Sequence, residues 1–418
     1  MILVPLVMLA YALFVGTRTG LDTQSADLFA MWLAGDFMAM GRLDQIYPSS
    51  AVMFDMTTPS EWWPYVQATD PDARIFPYIY PPLWAKLVSW LTQITTFAVF
   101  DTVFLFVHQA LLIATTYLAA KMCGFRGLSA LLVVAVTYEA LILTMPIGIA
   151  LGENQPQILV SFLIVYAFER AQSGAPRAAG ILLALAAAIK VYPVLFIVIF
   201  AARRNWRAVV AFGIAGGALG LTSIALAGWP LHADYLSMLG VLSKSVIVTN
   251  FSFSADALYA GAILEDQLLP VYQPSTAEEQ IGWAAIAKGP IWHAVSSIAQ
   301  IAAIAGVAFL AARRPHDPLI VPFAVTLFAL VSPLSWAYTY LPAYVFIAAL
   351  PLRFGLIGWG FAALMVVYFH PIIAGITLYQ DSWSLWSFGV GGVSLMVVML
   401  ALLLLALLKR PPAPILPT

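Results

Sequence analysis

Two residues of this 418-residue chain carry groups that could act on charge at a reacting centre: a lysine set in apolar sequence and an aspartate that opens a helix-like pattern. Lys190 follows the apolar run 181–189 and precedes Val191, Tyr192 and Pro193, ahead of a second apolar run. A charge within hydrocarbon is expensive and marks function by default. Proline cannot continue a hydrogen-bonded helix, so Lys190 is expected beside a break between two short helices. There its ammonium could face a phosphate. It could equally form a structural ion pair with Glu139 or Glu153, or snorkel toward water. Asp27, in Ser25-Ala26-Asp27-Leu28, directly precedes a pattern that puts Leu28, Met31, Trp32, Ala34 and Gly35 on or near one face. Such an amphipathic helix would lie flat on the membrane with its carboxylate at the water boundary. The carboxylate could take a proton from a sugar hydroxyl, or it could simply cap the helix.

Four further polar clusters are expected to face the same side: Tyr80-Pro81-Pro82, Gly152-Glu153-Asn154-Gln155, Thr249-Asn250-Phe251-Ser252 and Ser332-Pro333-Leu334-Ser335-Trp336. Each also has a plain structural reading as a hydrated turn or a rigid proline start to a helix. The five histidines are scattered and Cys123 is the lone cysteine, so neither a metal site nor an intrachain disulfide is expected. No Walker loop, HExxH or GxGxxG context is present, and no cofactor is implied. The missing nucleotide-binding domain argues against an ATP-driven pump and against an enzyme that uses sugar nucleotides.

These residues must be positioned by elements that live in lipid. Apolar residues make up 62% of the chain and charged ones only 9%, against about 25% charged in soluble domains. Such a chain cannot cover itself with a water-compatible surface. The first sixteen residues are read as a retained helix, since they lack a basic leader and a cleavage site. Spans of about 20 apolar residues are required, and the pattern predicts twelve, from 1–16 to 385–408. Basic clusters at Lys121/Arg126, Arg170/Arg177, Arg203/Arg204/Arg207, Arg313/Arg314, Arg353 and Lys409/Arg410 belong on the cytoplasmic side. The loops 17–80 and 228–287 hold eight and six acidic residues against three and one basic, and are expected outside. Residues 82–97 are expected to lie along the interface or to extend the next span. The whole chain, 1–418, reads as one all-α polytopic membrane domain. No basic stripe exists to hold nucleic acid.

Taken in order, Asp27, Gly41…Tyr47-Pro48, Tyr80-Pro81-Pro82, Gly152-Glu153-Asn154, Lys190…Pro193, Arg204-Asn205-Trp206-Arg207-Ala208 and Ser332-Pro333 resemble glycosyltransferase family 87 over about residues 20–350. These are polyprenyl-phosphate-mannose-type transferases of the C-type glycosyltransferase fold. The resemblance implies an inverting, metal-independent transfer outside a bacterial inner membrane. The donor would be a polyprenyl-phosphate-linked hexose or pentose, and the acceptor a periplasmic glycan or glycolipid. It makes Asp27 the general base and suits Lys190 to the donor phosphate, where Arg42 or Arg74 is expected to assist. Tyr80, Glu153, Asn154, Tyr192, Asn250, Ser332, Trp336 and Tyr338 would line the substrate site. The chain departs from the family at Glu153, where many members carry Gln, and at Ala337-Tyr338, where histidine is common after Ser-Pro-x-x-Trp. The alternative reading is a secondary transporter or lipid-linked glycan flippase using Lys190, Glu139 and Glu153. That reading expects inverted repeats and midplane charge pairs, and no repeat is evident.

Overall fold

The computed structural model describes residues 2–21, 25–48, 53–69, 75–272, 280–378 and 387–409. Helix α1 (Leu3–Leu21) leads to α2 (Ala26–Ala39), with α3 (Trp63–Thr69) and α4 (Pro82–Leu91) completing the first loop region. A run of helices follows: α5 (Phe97–Met122), α6 (Gly127–Ile142), α7 (Met145–Gly152), α8 (Gln157–Gln172), α9 (Pro176–Ile189), α10 (Ile197–Ala202) and α11 (Trp206–Ala227). The second loop holds α12 (Trp229–Ser243), β1 (Ser245–Val248), α13 (Ala255–Ile263), β2 (Leu269–Tyr272) and β3 (Gln280–Ala287). The chain closes with α14 (Pro290–Arg313), α15 (Ile320–Leu330), α16 (Leu341–Tyr344), α17 (Ala349–Phe354), α18 (Leu356–Tyr368), α19 (Pro371–Leu378) and α20 (Phe388–Leu408).

Among the described residues, α5, α11, α14 and α20 are long and apolar enough to cross a bilayer. The pair α6–α7, bent by 81° at its break, makes up to five, and shorter apolar helices accompany them. Large apolar side chains stand exposed along α11 (Val210, Ile214, Leu221) and α14 (Ile291, Val295, Ile298, Ile301). Helices satisfy their own backbone bonds, so such faces suit lipid as solvent. The predicted break at Lys190 is present. Helix α9 ends at Ile189, Lys190 is extended (φ −134°, ψ 139°), and a 3-10 turn over Tyr192–Phe196 contains Pro193. Helix α4, at ten residues, is about 15 Å long, half of the roughly 30 Å needed to cross.

The second loop departs from the all-helical expectation. Strands β1, β3 and β2 pair in that order as an antiparallel three-stranded sheet, with Val246 opposite Ile286 and Val271 opposite Trp283. β-Branched residues in short runs favour such pairing once a neighbouring strand supplies a partner.

Helix α2 also differs from the flat amphipathic element expected of it. Leu28 to Gly35, Phe37 and Met38 are all buried, so lipid or water covers little of it. Helix α4 packs against one side, Phe97 and Phe100 of α5 meet Phe29 and Trp32 at 4.6 and 5.3 Å, and Trp62 lies 6.1 Å from Phe37. At Gly35 an added Cβ would come within 2.6 Å of Val88 Cγ1 and 3.0 Å of the Ser89 nitrogen. Gly35→Ala is therefore expected to destabilise the protein by about 1–3 kcal/mol, as overpacking does. Thermal melting in detergent tests this, and an unchanged midpoint would mean that α2 and α4 can separate freely.

Candidate active site

The first two residues of α2 set the site. Ser25 occupies the N-cap position but does not cap with its side chain; its hydroxyl hydrogen-bonds Asp101 at the start of α5 instead. The Ala26 amide donates to Glu153 Oε2 at 2.8 Å, so a carboxylate from the turn after α7 closes the helix N-terminus. An acceptor at this position also suits the positive end of the helix dipole. Asp27, at the second helical position, thus stands beside a terminus that Glu153 already serves, and its carboxylate lines a cavity of about 610 Å³.

Asn154 turns the chain after α7 with a left-handed backbone (φ 46°), a conformation asparagine tolerates. The turn presents Gln155 to the cavity, where its side chain joins three groups. Gln155 Oε1 accepts from Tyr80 OH at 3.2 Å and from Lys190 Nζ at 3.3 Å, and Nε2 donates to Tyr338 OH at 3.0 Å. The Asp27 carboxyl stands near this side-chain amide. The Lys190 ammonium lies over the rings of Tyr80 and Tyr338, 5.4 and 5.7 Å from their centroids. Two aromatic faces hold a desolvated cation without neutralising it. The ion pairs among the described residues join Lys121 and Arg170 to Glu169, Lys288 to Asp256 and Arg353 to Asp317. None of these four pairs contains Lys190, whose ammonium meets Gln155 and the two rings instead.

Burial lifts the Asp27 carboxyl from 3.8 to about 6, against the opposing pull of the Lys190 charge and the nearby Gln155 amide. A carboxylate poised near neutrality is suited to accept and return a proton. Burial likewise raises the Tyr80 hydroxyl well above its ordinary value, reinforced by the nearby Asp27 charge, so Tyr80 stays a donor.

Hydrogen bonds hold the motifs of each long loop in place. Tyr47 OH donates to the Tyr80 carbonyl at 2.7 Å, and Tyr78 OH to the Pro81 carbonyl at 2.8 Å, which fixes Tyr80 under Lys190. The Ser252 backbone bridges to Trp336, Phe253 N–H donates to Ser335 O at 2.7 Å, and Ala337 N–H to Phe251 O at 2.8 Å. The Thr249–Ser252 and Ser332–Trp336 clusters therefore form one wall.

Of the expected site residues, Asp27, Tyr80, Glu153, Lys190, Tyr192, Ser332, Trp336 and Tyr338 line the cavity together. Three others stand elsewhere. Arg42 lies over the Phe37 ring at 5.6 Å, past the C-terminal end of α2, whereas Asp27 stands at its N-terminal end. Asn154 is buried in a network, accepting from His108 Nδ1 at 2.6 Å and donating to Asp101 O and Oδ1 at 2.7 and 2.9 Å. Asn250 accepts from the Gly389 amide at 3.4 Å and so steadies the start of α20. Arg74 falls outside the described residues.

Gln155, Gln157, Phe76, Trp283 and Gln300 also line the cavity. Gln155 sat within a recognised polar cluster, and Gln157 orients Tyr192 through a 2.7 Å bond to its hydroxyl. Trp283 had no local signal, being one of 13 tryptophans in a chain where interfacial placement is the default. Among the described residues no three His, Cys, Asp or Glu side chains converge as a metal site.

The sequence profile described as glycosyltransferase family 87 matches residues 78–333, well over half of the chain. That stretch contains Tyr80, Glu153, Gln155, Lys190, Tyr192 and Ser332, while Asp27 precedes it. Among curated proteins, none matches.

Proposed function

The chain belongs to glycosyltransferase family 87, and on that premise we propose that it moves a sugar from a polyprenyl-phosphate donor to a glycan or glycolipid, with inversion. The observation that carries this reading is the convergence of Asp27 and Lys190 in one cavity. Leu195, Ile304, Val325 and Ala329 add an aliphatic wall from the membrane-type segments. A lipid tail suits that wall, and the polar end of the cavity suits a phosphate and a sugar. The donor's tail delivers it laterally, so the acidic outer loops need not attract an anion from water.

The reaction we infer is a single displacement. Asp27 takes the proton of the acceptor hydroxyl as that oxygen attacks the anomeric carbon. The bond from that carbon to the phosphate oxygen breaks on the opposite face, and its electron pair stays with the phosphate. Lys190 offsets the charge that grows there, where poor hydration makes the interaction strong. Gln155 holds the base and the cation in fixed relation. We read the whole as a C-type fold of about twelve crossings in a bacterial inner membrane. In that reading the loops 17–80 and 228–287 lie on the periplasmic side.

The direct test incubates purified protein with a panel of polyprenyl-phosphate sugars and a membrane glycolipid extract. Release of polyprenyl phosphate coupled to a new glycan is expected. Transfer from nucleotide sugars with none from any lipid-phosphate donor would refute the donor class. The pH profile gives a second check. Protonated Asp27 cannot act as a base, so the rate should fall as pH drops through about 6 and level off above it. A rate that stays flat from about pH 5 to about pH 7 would remove Asp27 from proton transfer.

A further inference from the structure

The cavity has a second kind of wall. Phe76 from the first outer loop stacks on Trp283 of β3 at 5.3 Å and 15°, and Trp283 meets Trp336 at 5.3 Å and 44°. Trp336 continues to Tyr338 at 6.4 Å, and Tyr338 is one of the two rings beneath Lys190. All four rings line the cavity. The aliphatic wall comes from the apolar segments around Lys190 and from α14 and α15. The aromatic wall comes from the outer loops and from the connection after α15.

That division is chemical. An isoprenoid tail is served by aliphatic side chains as well as by indoles. A sugar ring is not, because its C–H face is drawn to a π-face while its hydroxyls remain outside the contact. The default reading of tryptophans in such a chain is anchorage at the lipid boundary. Trp283 does not fit it. It packs with Phe54, Ile247 and Val271 in a small core beneath the sheet, is only partly buried, and meets the cavity that contains Asp27. The two indoles meet at a tilt of 44° and form a corner on the cavity wall.

We propose that Trp283, with Phe76 and Trp336, forms the acceptor subsite, and that the acceptor is presented there as a saccharide ring stacked on Trp283 with a hydroxyl turned toward Asp27. This rests on the transferase reading above, which already takes a glycan or glycolipid as acceptor, and adds the residues that hold its sugar ring. A protein hydroxyl or a bare lipid alcohol would leave the aromatic corner unused.

The test reads saccharide binding without donor. Saturation-transfer NMR is recorded on the protein in lipid nanodiscs, with empty nanodiscs as control. The probes are methyl glycosides of mannose, glucose, galactose and arabinose, as mono- and disaccharides. At least one should show saturation of ring C–H protons along one face. Trp283→Phe should keep the signal, whereas Trp283→Leu, which preserves apolar bulk without a π-face, should lose about tenfold in affinity. In transfer assays Trp283→Leu should raise the acceptor KM about tenfold and leave the donor KM unchanged. No saturation above empty nanodiscs for any glycoside would overturn the proposal. So would equal binding by the Phe and Leu variants when both melt like the parent. Saccharide binding through Trp283 in a protein that uses no polyprenyl-phosphate sugar would support the subsite and sink the donor reading instead.

Discussion

Asp27→Asn is expected to leave a folded protein that binds donor lipid and transfers sugar roughly 10²–10⁴-fold more slowly, the usual worth of a positioned general base. The substitution keeps the size of the side chain and its place at the second position of α2. It does not disturb the helix terminus, which Glu153 serves through the Ala26 amide. Stability should not fall. The folded state holds a proton on Asp27 up to about pH 6, whereas the ordinary carboxyl releases it near 3.8. Between those values the folded chain binds more protons than the unfolded one, so stability declines as pH rises through that window and stays lower above it. Asn removes this cost. The expected signature is therefore a melting temperature at or above the parent's, with transfer nearly gone and the pH limb near 6 absent. A purely structural aspartate predicts the reverse, with lower melting and preserved turnover per folded molecule. Parental transfer by Asp27→Asn would sink the assignment and make Glu153 the next carboxylate to test.

Lys190→Met is expected to cost about 10²–10³-fold in kcat/KM, the scale seen when one preorganised partner of a developing negative charge is removed. Methionine keeps much of the length and apolar stem, so Tyr80 and Tyr338 retain a side chain between their rings. What disappears is the positive charge beside the site where phosphate would leave. Lys190→Arg should recover part of the rate, since the charge returns in a flatter and wider group. The structural alternative is an ammonium that merely satisfies Gln155 Oε1. That role would show as a lower melting temperature in Lys190→Met with unchanged donor KM and turnover. Donor KM and turnover equal to the parent's, in a variant that melts normally, would end the phosphate assignment.

Much of this protein follows from local rules. Hydrophobic runs identify elements that belong in lipid, because transfer of an apolar helix depends only on the side chains it carries. Proline cannot stand in the interior of a continuous helix, so the break beside Lys190 was legible from Pro193 alone. Loop charge is also additive, so the acidic 17–80 and 228–287 differ from the basic connections by composition alone. The order of short motifs was enough to place the chain in its family.

The site itself was decided by packing across long separations. Glu153 reaches the amide of Ala26 over 127 residues, and Gln155 reaches Tyr338 over 183. No periodicity in a single segment encodes such a meeting. The same cause accounts for the misplaced expectations. Asn154 lies one residue from Gln155, yet its left-handed backbone turns it toward His108 and Asp101 rather than into the cavity. Arg42 follows α2 in sequence but rests on Phe37, and Asn250 is drawn to the start of α20. Helix α2 carries an amphipathic spacing that suggests a surface. Close contact at Gly35, together with the rings of α5, turned it into buried structure. Sequence by itself determined the solvent, the breaks and the family, since each depends on residue type or short spacing. Tertiary structure alone decided which polar groups share the cavity, because hydrogen-bond partners and aromatic corners exist only once distant segments are brought within a few ångströms.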